Sequence, residues 1–187
     1  MYIYEITMRL KALITLLLLT FTTQSHALTN VCFSPSTCCE DNIVELVNGS
    51  KETIDIAIYA FTNQKIYDSL LQAKERGVKI RVVADKAQSK GKYSFVPKLQ
   101  EAGFDVRVKK KVKIEHNKFG VFDKKFIITG SYNWTEAATK MNSENCVVDK
   151  RKKIVAKYDK RFEELWKMYD DSETEEKIPE SQISRQD

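Results

Sequence analysis

Three short segments of the sequence carry most of its chemistry. They are Glu115-His116-Asn117-Lys118-Phe119-Gly120-Val121-Phe122-Asp123, then Gly130-Ser131-Tyr132-Asn133-Trp134, then Asn142-Ser143-Glu144-Asn145. If His116 and Lys118 open a strand, their spacing of two puts the imidazole and the ammonium on one face. Ser131 and Asn133 repeat that spacing and add a hydroxyl and an amide. Glu144 stands where it could reach the imidazole. There is no cluster of acids or histidines of the kind that holds a metal, so no metal and no cofactor is expected. A phosphodiester suits the set. Lys118, Ser131 and Asn133 would stabilise charge on the non-bridging oxygens. His116 would attack phosphorus, and Glu144 would bond the other ring nitrogen and support positive charge on the ring.

With these residues in place, the sequence resembles the phospholipase D superfamily. Its H-x-K-x4-D motif is matched by His116, Lys118 and Asp123, and G-S-x-N by Gly130, Ser131 and Asn133. The likeness is to the single-motif branch, which includes the small bacterial secreted endonuclease and the mitochondrial cardiolipin hydrolase/Zucchini group. It runs from about Phe33 to Trp166. The resemblance implies a phosphohistidine on His116, released by water without metal. It also carries over Asp123, which falls in a turn and is expected to be structural.

In-line displacement puts the attacking and departing atoms on opposite sides of phosphorus. One imidazole cannot serve both sides, and the acid should titrate near neutrality. The sequence has two histidines, His26 and His116. A second His116 across a two-fold axis supplies the acid most simply, which predicts a homodimer with one composite site.

The elements that must position these groups are legible from periodicity. Thr53 to Ala60 alternates isoleucines as a strand. Asn63 caps a helix running to Arg76, which Gly77 stops. Val78 to Ala84 is the next strand, so 53–84 reads strand–helix–strand with parallel pairing. Asn30 to Phe33, Phe104 to Val108, Lys118 to Phe122, Phe126 to Thr129 and Asn145 to Val148 are further strands, with a hairpin turn at Asp123-Lys124-Lys125. Helices are expected over 41–48, 94–102, 134–140 and 151–169; the last is amphipathic through Ile154, Tyr158, Phe162, Leu165, Trp166 and Tyr169. The fold predicted is α/β: a mixed, largely parallel sheet flanked by helices on both faces, phospholipase D-like and homodimeric.

The chain has 187 residues and a formal charge of +5, with 42% hydrophobic residues. That excludes a wholly disordered or collagen-like chain. Met8-Arg9-Leu10-Lys11, the apolar run Ala12 to Phe21 and the small residues Ser25 and Ala27 read as a secretory signal peptide cleaved after Ala27, with Met8 the true start. The expected domains are 1–27 as signal peptide, 28–169 as catalytic domain and 170–187 as a disordered acidic and polar tail. Removing 1–27 takes His26 with it. In an oxidising compartment Cys32 could pair with Cys38 or Cys39; Cys146 is expected to be simply buried.

Two basic runs bear on the substrate. Lys109, Lys110, Lys111 and Lys113, with Arg107, lie just before His116, and Lys150 to Lys153 form a second cluster. Trp134, with Tyr132, could line the groove. A basic wall attracts nucleic acid or an anionic bilayer. The short chain and single motif lean towards a secreted nuclease, with a phospholipase D acting on headgroups as the alternative and a non-catalytic nucleic-acid-binding module as a remote third.

Overall fold

The computed structural model describes residues 29–108 and 112–170. The expected signal peptide, the proposed start at Met8, Lys109 to Lys111 and residues 171–187 lie outside them. In chain order the elements are β1 (Thr29–Ser34), α1 (Cys38–Gly49), β2 (Thr53–Ile58), α2 (Gln64–Glu75), β3 (Lys79–Ala84), α3 (Lys86–Ser89), α4 (Val96–Glu101), β4 (Asp105–Val108), β5 (Lys118–Phe122), β6 (Phe126–Gly130), α5 (Glu136–Lys140), β7 (Glu144–Asp149) and α6 (Lys152–Met168).

The strands form one seven-stranded sheet in the order β1-β7-β6-β5-β2-β3-β4. The sheet is mixed, as the sequence predicts, but it is not largely parallel. Only β2–β3 and β3–β4 run parallel; β1–β7, β7–β6, β6–β5 and β5–β2 are antiparallel. The reason is connection length. Helical crossovers through α2 and α4 return the chain in the same direction, whereas the short turn at Asp123–Lys125 reverses it. In that turn Asp123 and Lys124 have φ of 49° and 52°, and the Lys125 N–H closes on the Phe122 carbonyl at 2.9 Å.

Local signals place the helices. The Asn63 side chain accepts the Ile66 N–H at 3.0 Å, and its amide donates to buried Glu40 of α1 at 2.5 Å. One cap thus ties two helices together. Gly77, at φ 86°, turns the chain out of α2, the left-handed stop that favours glycine. The four-residue α3 is unforeseen; Asp85 caps it, accepting from Ala87 and Gln88.

Alternation along β2 decides which face meets which helix. Ile54, Ile56 and Ile58 are buried with Ile43, Ile66, Leu70 and Leu99 under α1, α2 and α4. Ala57 lies on the other face with Val83, Phe119, Val121 and Ile127, against Val155, Phe162 and Leu165 of α6. Each fully buried aliphatic or aromatic side chain contributes about 1.5–3 kcal/mol. Asp55 also faces α6. Burial pushes its carboxyl up in pKa, against the pull of the Arg81 guanidinium. Arg81 grips it at 2.7 and 2.9 Å, reaches Glu163 at 2.7 Å and lies over the Phe162 and Trp166 rings. The bridge fixes α6 on the sheet.

Two disulfides are present, Cys32–Cys38 and Cys39–Cys146. The first is one of the two pairings left open by the sequence. The second corrects the reading of Cys146 as merely buried: β7 lies beside the start of α1, so Cys146 faces Cys39. Asp170, assigned to the tail, is instead ion-paired with Arg107 at 2.9 Å.

Candidate active site

The sheet directs its functional groups to one end. There β2, β3 and β4 finish, β5 and β7 begin, and β6 ends at Gly130. His116 is exposed just ahead of β5, its ring set edge-on to Tyr59 with centroids 4.4 Å apart. The Lys118 ammonium lies 4.9 Å from the same Tyr59 ring and donates to the His116 carbonyl at 2.7 Å. Imidazole and ammonium therefore both border the Tyr59 ring. Lys118 is only 8% exposed. Burial pushes its pKa down, and the negative charges of Glu144 and Glu115 only partly offset this.

Ser131 and Glu144 meet because Gly130 pairs with Cys146. The Ser131 hydroxyl donates to Glu144 at 2.5 Å and accepts the Asn145 N–H at 3.1 Å. Glycine is required at 130, since a Cβ there would fall 2.2 Å from the Asn145 carbonyl oxygen. The second Glu144 oxygen accepts from Asn142 at 3.2 Å. Among the described residues no hydrogen bond joins Glu144 to His116, so the expected carboxylate–imidazole bond is not made within this chain. The strand register gives the carboxylate to Ser131 instead.

Asn133 is held by the residue after it. The Trp134 backbone bonds Ala60, Thr62 and Asn63, directly beyond Tyr59. The Asn133 amide oxygen is buried without a hydrogen-bond partner among the described residues. Leaving such an acceptor unsatisfied costs about 1–3 kcal/mol, which only a hydrogen-bond donor would recover.

Asp123 lies at the far end of β5, away from His116. Burial raises its pKa, but the backbone N–H groups of Thr53, Glu52 and Lys51 outweigh that and hold it below the usual carboxylate value. Their bonds measure 2.8–3.2 Å. Its part is structural, as its turn position suggests.

Several expected substrate contacts are placed elsewhere. Trp134 and Tyr132 are each 2% exposed; Trp134 packs edge-on against Phe61, and the Tyr132 hydroxyl meets Thr139. Neither lines a groove, because the chain turns inward on both sides of Asn133. Arg107 stacks on Trp166 and pairs with Asp170, so it serves the fold. Lys150 to Lys153 follow β7, at the opposite end of the sheet from His116. Lys113 is exposed on the approach to His116.

The sequence reading missed the residues that hold His116 in place. Buried Glu115 gives its N–H to Asp85 at 2.9 Å, and its carboxylate accepts the Tyr169 hydroxyl at 2.9 Å and both the backbone and amide N–H groups of Asn117. Gln88 in turn donates to the Tyr59 hydroxyl at 3.1 Å. An acid adjoining a candidate nucleophile was the available signal for Glu115; nothing in the sequence pairs it with Tyr169.

Comparison with known proteins agrees with this geometry. Residues 43–166 match the family model described as cardiolipin synthase, PLD-like domain. The chain belongs to the phospholipase D-like family. It is 35% identical over 134 residues to the phospholipase D of Rickettsia conorii, covering 72% of this chain and 67% of that protein. It is 32% identical over 126 residues to the mitochondrial cardiolipin hydrolase of Chlamydomonas reinhardtii, covering 67% of this chain and 56% of that one, a little over half its length. Among solved structures, Nuc from Salmonella typhimurium, a phospholipase D family member, aligns with a TM-score of 0.70 at 27% identity, over 75% of this chain and 94% of that chain. The chain thus has the mixed α/β fold of this superfamily.

Proposed function

We propose that the protein hydrolyses phospholipid headgroup phosphodiesters through a phosphohistidine on His116, as a homodimer. The observation that carries the chemistry is the Tyr59 ring, which both the imidazole and a desolvated ammonium adjoin. Lys118 and the NH2 of the Asn133 amide would donate to the non-bridging oxygens. The His116 ring nitrogen bonds phosphorus as the P–O bond to the headgroup breaks, and the headgroup oxygen takes its proton from the partner's His116. Water then adds to phosphorus, gives that histidine back its proton, and the P–N bond breaks to leave a phosphomonoester.

The dimer is supported by an uncovered half of the sheet. Helix α6 covers β2, β3, β5 and β6, but on the same face Val31, opposite Val147, and Phe33, opposite Asn145, stand open. Phe33 is 68% exposed. This patch adjoins Glu144 and Asn145, so a two-fold copy seated on it brings a second His116 towards the first. Export is supported by the two disulfides, which persist in oxidising compartments.

The phospholipid reading rests on relatives called phospholipase D and cardiolipin hydrolase. Nucleic acid is the second reading, favoured by the Nuc structure and by Lys113 before the site. Purified protein in EDTA would be offered cardiolipin or phosphatidylcholine vesicles and plasmid DNA side by side. Phosphatidic acid release with intact plasmid supports the proposal; plasmid cutting with inert vesicles selects the second reading. Absence of an alkali-stable phospho-adduct on His116 after rapid quenching would overturn the mechanism.

A further inference from the structure

Large apolar side chains left exposed are usually scattered singly. Here they gather. Besides Val31 and Phe33 on the uncovered sheet face, the exposed large apolar residues among those described are Tyr93 (74%), Met141 (73%), Ile114 (50%), Val112 (40%) and Phe126 (37%). Phe126 opens β6 at the end remote from His116. The other four sit at the His116 end: Tyr93 in the connection after β3, Val112 and Ile114 in the connection after β4, and Met141 just before β7. The first two connections are pinned to one another by the Glu115 N–H to Asp85.

Exposed bases predominate in the first two connections, while the part-exposed acids Glu136 and Glu144 flank Met141. Lys86, Lys90, Lys92 and Lys113 are exposed, whereas Asp85 and Glu115 are buried and the exposed Glu101 closes α4 at the other end of its connection. Val112-Lys113-Ile114 interleaves apolar and basic side chains, and the Lys92 ammonium lies 5.4 Å from the Tyr93 ring.

We propose that Tyr93, Val112, Ile114 and Met141 form an insertion lip that docks the His116 end of the protein onto an anionic lipid bilayer. This rests on the phospholipid reading above and adds to it the surface that meets the membrane. Aliphatic Val112, Ile114 and Met141 offer no ring face on which a base could stack. They gain from entering the acyl boundary, while tyrosine suits the headgroup level. The lysines complete the match, because basic residues near a negatively charged leaflet each strengthen binding about fivefold.

The test uses His116→Asn protein, so that vesicles remain intact, and measures co-sedimentation with phosphatidylcholine vesicles with and without phosphatidylglycerol. The lip predicts binding that depends on the anionic lipid, and at least a tenfold loss of partitioning in Val112→Ser/Ile114→Ser/Met141→Ser. In otherwise wild-type protein the same triple change should leave hydrolysis of soluble bis(p-nitrophenyl) phosphate within about twofold while vesicle hydrolysis falls. No binding by the His116→Asn protein, or equal binding by the triple variant, overturns the lip; soluble activity that persists in that case keeps the phosphodiesterase reading intact. Loss of the dimer in the triple variant, read by light scattering, would assign these residues to the subunit interface and also overturn the lip.

Discussion

The Tyr169 hydroxyl donates to the Glu115 carboxylate at 2.9 Å, so the residue after the last helix holds the residue before His116. Burial and the adjoining Glu115 charge push the Tyr169 phenol well above its usual range. It therefore remains a donor at any pH the protein meets. With Asp85 holding the Glu115 N–H from the other side, the backbone that carries His116 is fixed from two directions, and neither partner is near it in sequence.

Tyr169→Phe removes one donor from a buried carboxylate. A net loss of about 1–2 kcal/mol in stability is expected. Because Tyr169 positions the segment and does not touch substrate, kcat should fall severalfold with KM nearly unchanged. Glu115→Gln, which keeps an acceptor for the hydroxyl, should retain more activity than Glu115→Leu. Steady-state kinetics with a soluble phosphodiester, alongside urea denaturation, separates these outcomes; a KM effect without a kcat effect would contradict the positioning role.

Lys118 gives a pH signature whose sign can be worked out. Burial lowers its pKa below the ordinary 10.5, so the ammonium loses its proton at a lower pH than a free lysine does. Lys118 should therefore add an alkaline step to the activity profile that begins below that value, and Lys118→Arg, which stays charged, should remove that step from whatever activity remains. In the window between the lowered and the ordinary value the unfolded chain binds more protons, so this group makes stability rise with pH while activity falls. Activity and thermal stability falling together there would mean alkaline unfolding and not titration of Lys118.

Asp123 shares the H-x-K-x4-D motif but not the site. Three backbone N–H groups of residues 51–53 converge on it, so Asp123→Ala should cost about 2–3 kcal/mol, with kcat of the folded fraction largely retained. Its lowered pKa adds stability above the ordinary 3.8 that is lost as pH falls through the folded value. Asp123→Asn should flatten that acid dependence, as acid titration followed by circular dichroism would reveal.

These examples mark how far the sequence could be read. Strand and helix positions followed from local period and from Asn63 and Gly77, whose signals lie within a few residues of what they control. His116 and Lys118 both adjoin the Tyr59 ring, although β5 begins only at Lys118 and the strand-spacing argument does not extend to His116. What else failed was non-local. Four of the six strand pairings run antiparallel because of where each connection returns the chain, which periodicity does not contain. Glu144 was expected at the imidazole, yet the β6–β7 register delivers it to Ser131. Trp134 and Tyr132 sit beside Asn133 in sequence, but the Trp134 backbone bonds to Ala60 and Thr62 turn both rings into the core.

Cys146 is the largest of these omissions, and its bridge to Cys39 also reaches the site. It spans a sequence separation of 107, and cross-linking a loop that long removes enough unfolded-chain entropy to contribute about 4–5 kcal/mol. The Cys32–Cys38 bridge, at a separation of 6, should contribute only about 2 kcal/mol by the same reasoning. Cys146 pairs with Gly130 across β6–β7, one residue from both Ser131 and Asn145. Cys39→Ala/Cys146→Ala should therefore unfold at markedly lower urea and lose activity at temperatures where Cys32→Ala/Cys38→Ala still works. Dithiothreitol should take the wild type below the oxidised Cys39/Cys146 variant and lower that variant's own midpoint only by the smaller share of Cys32–Cys38. Equal destabilisation by the two double substitutions would show that loop length does not set these contributions.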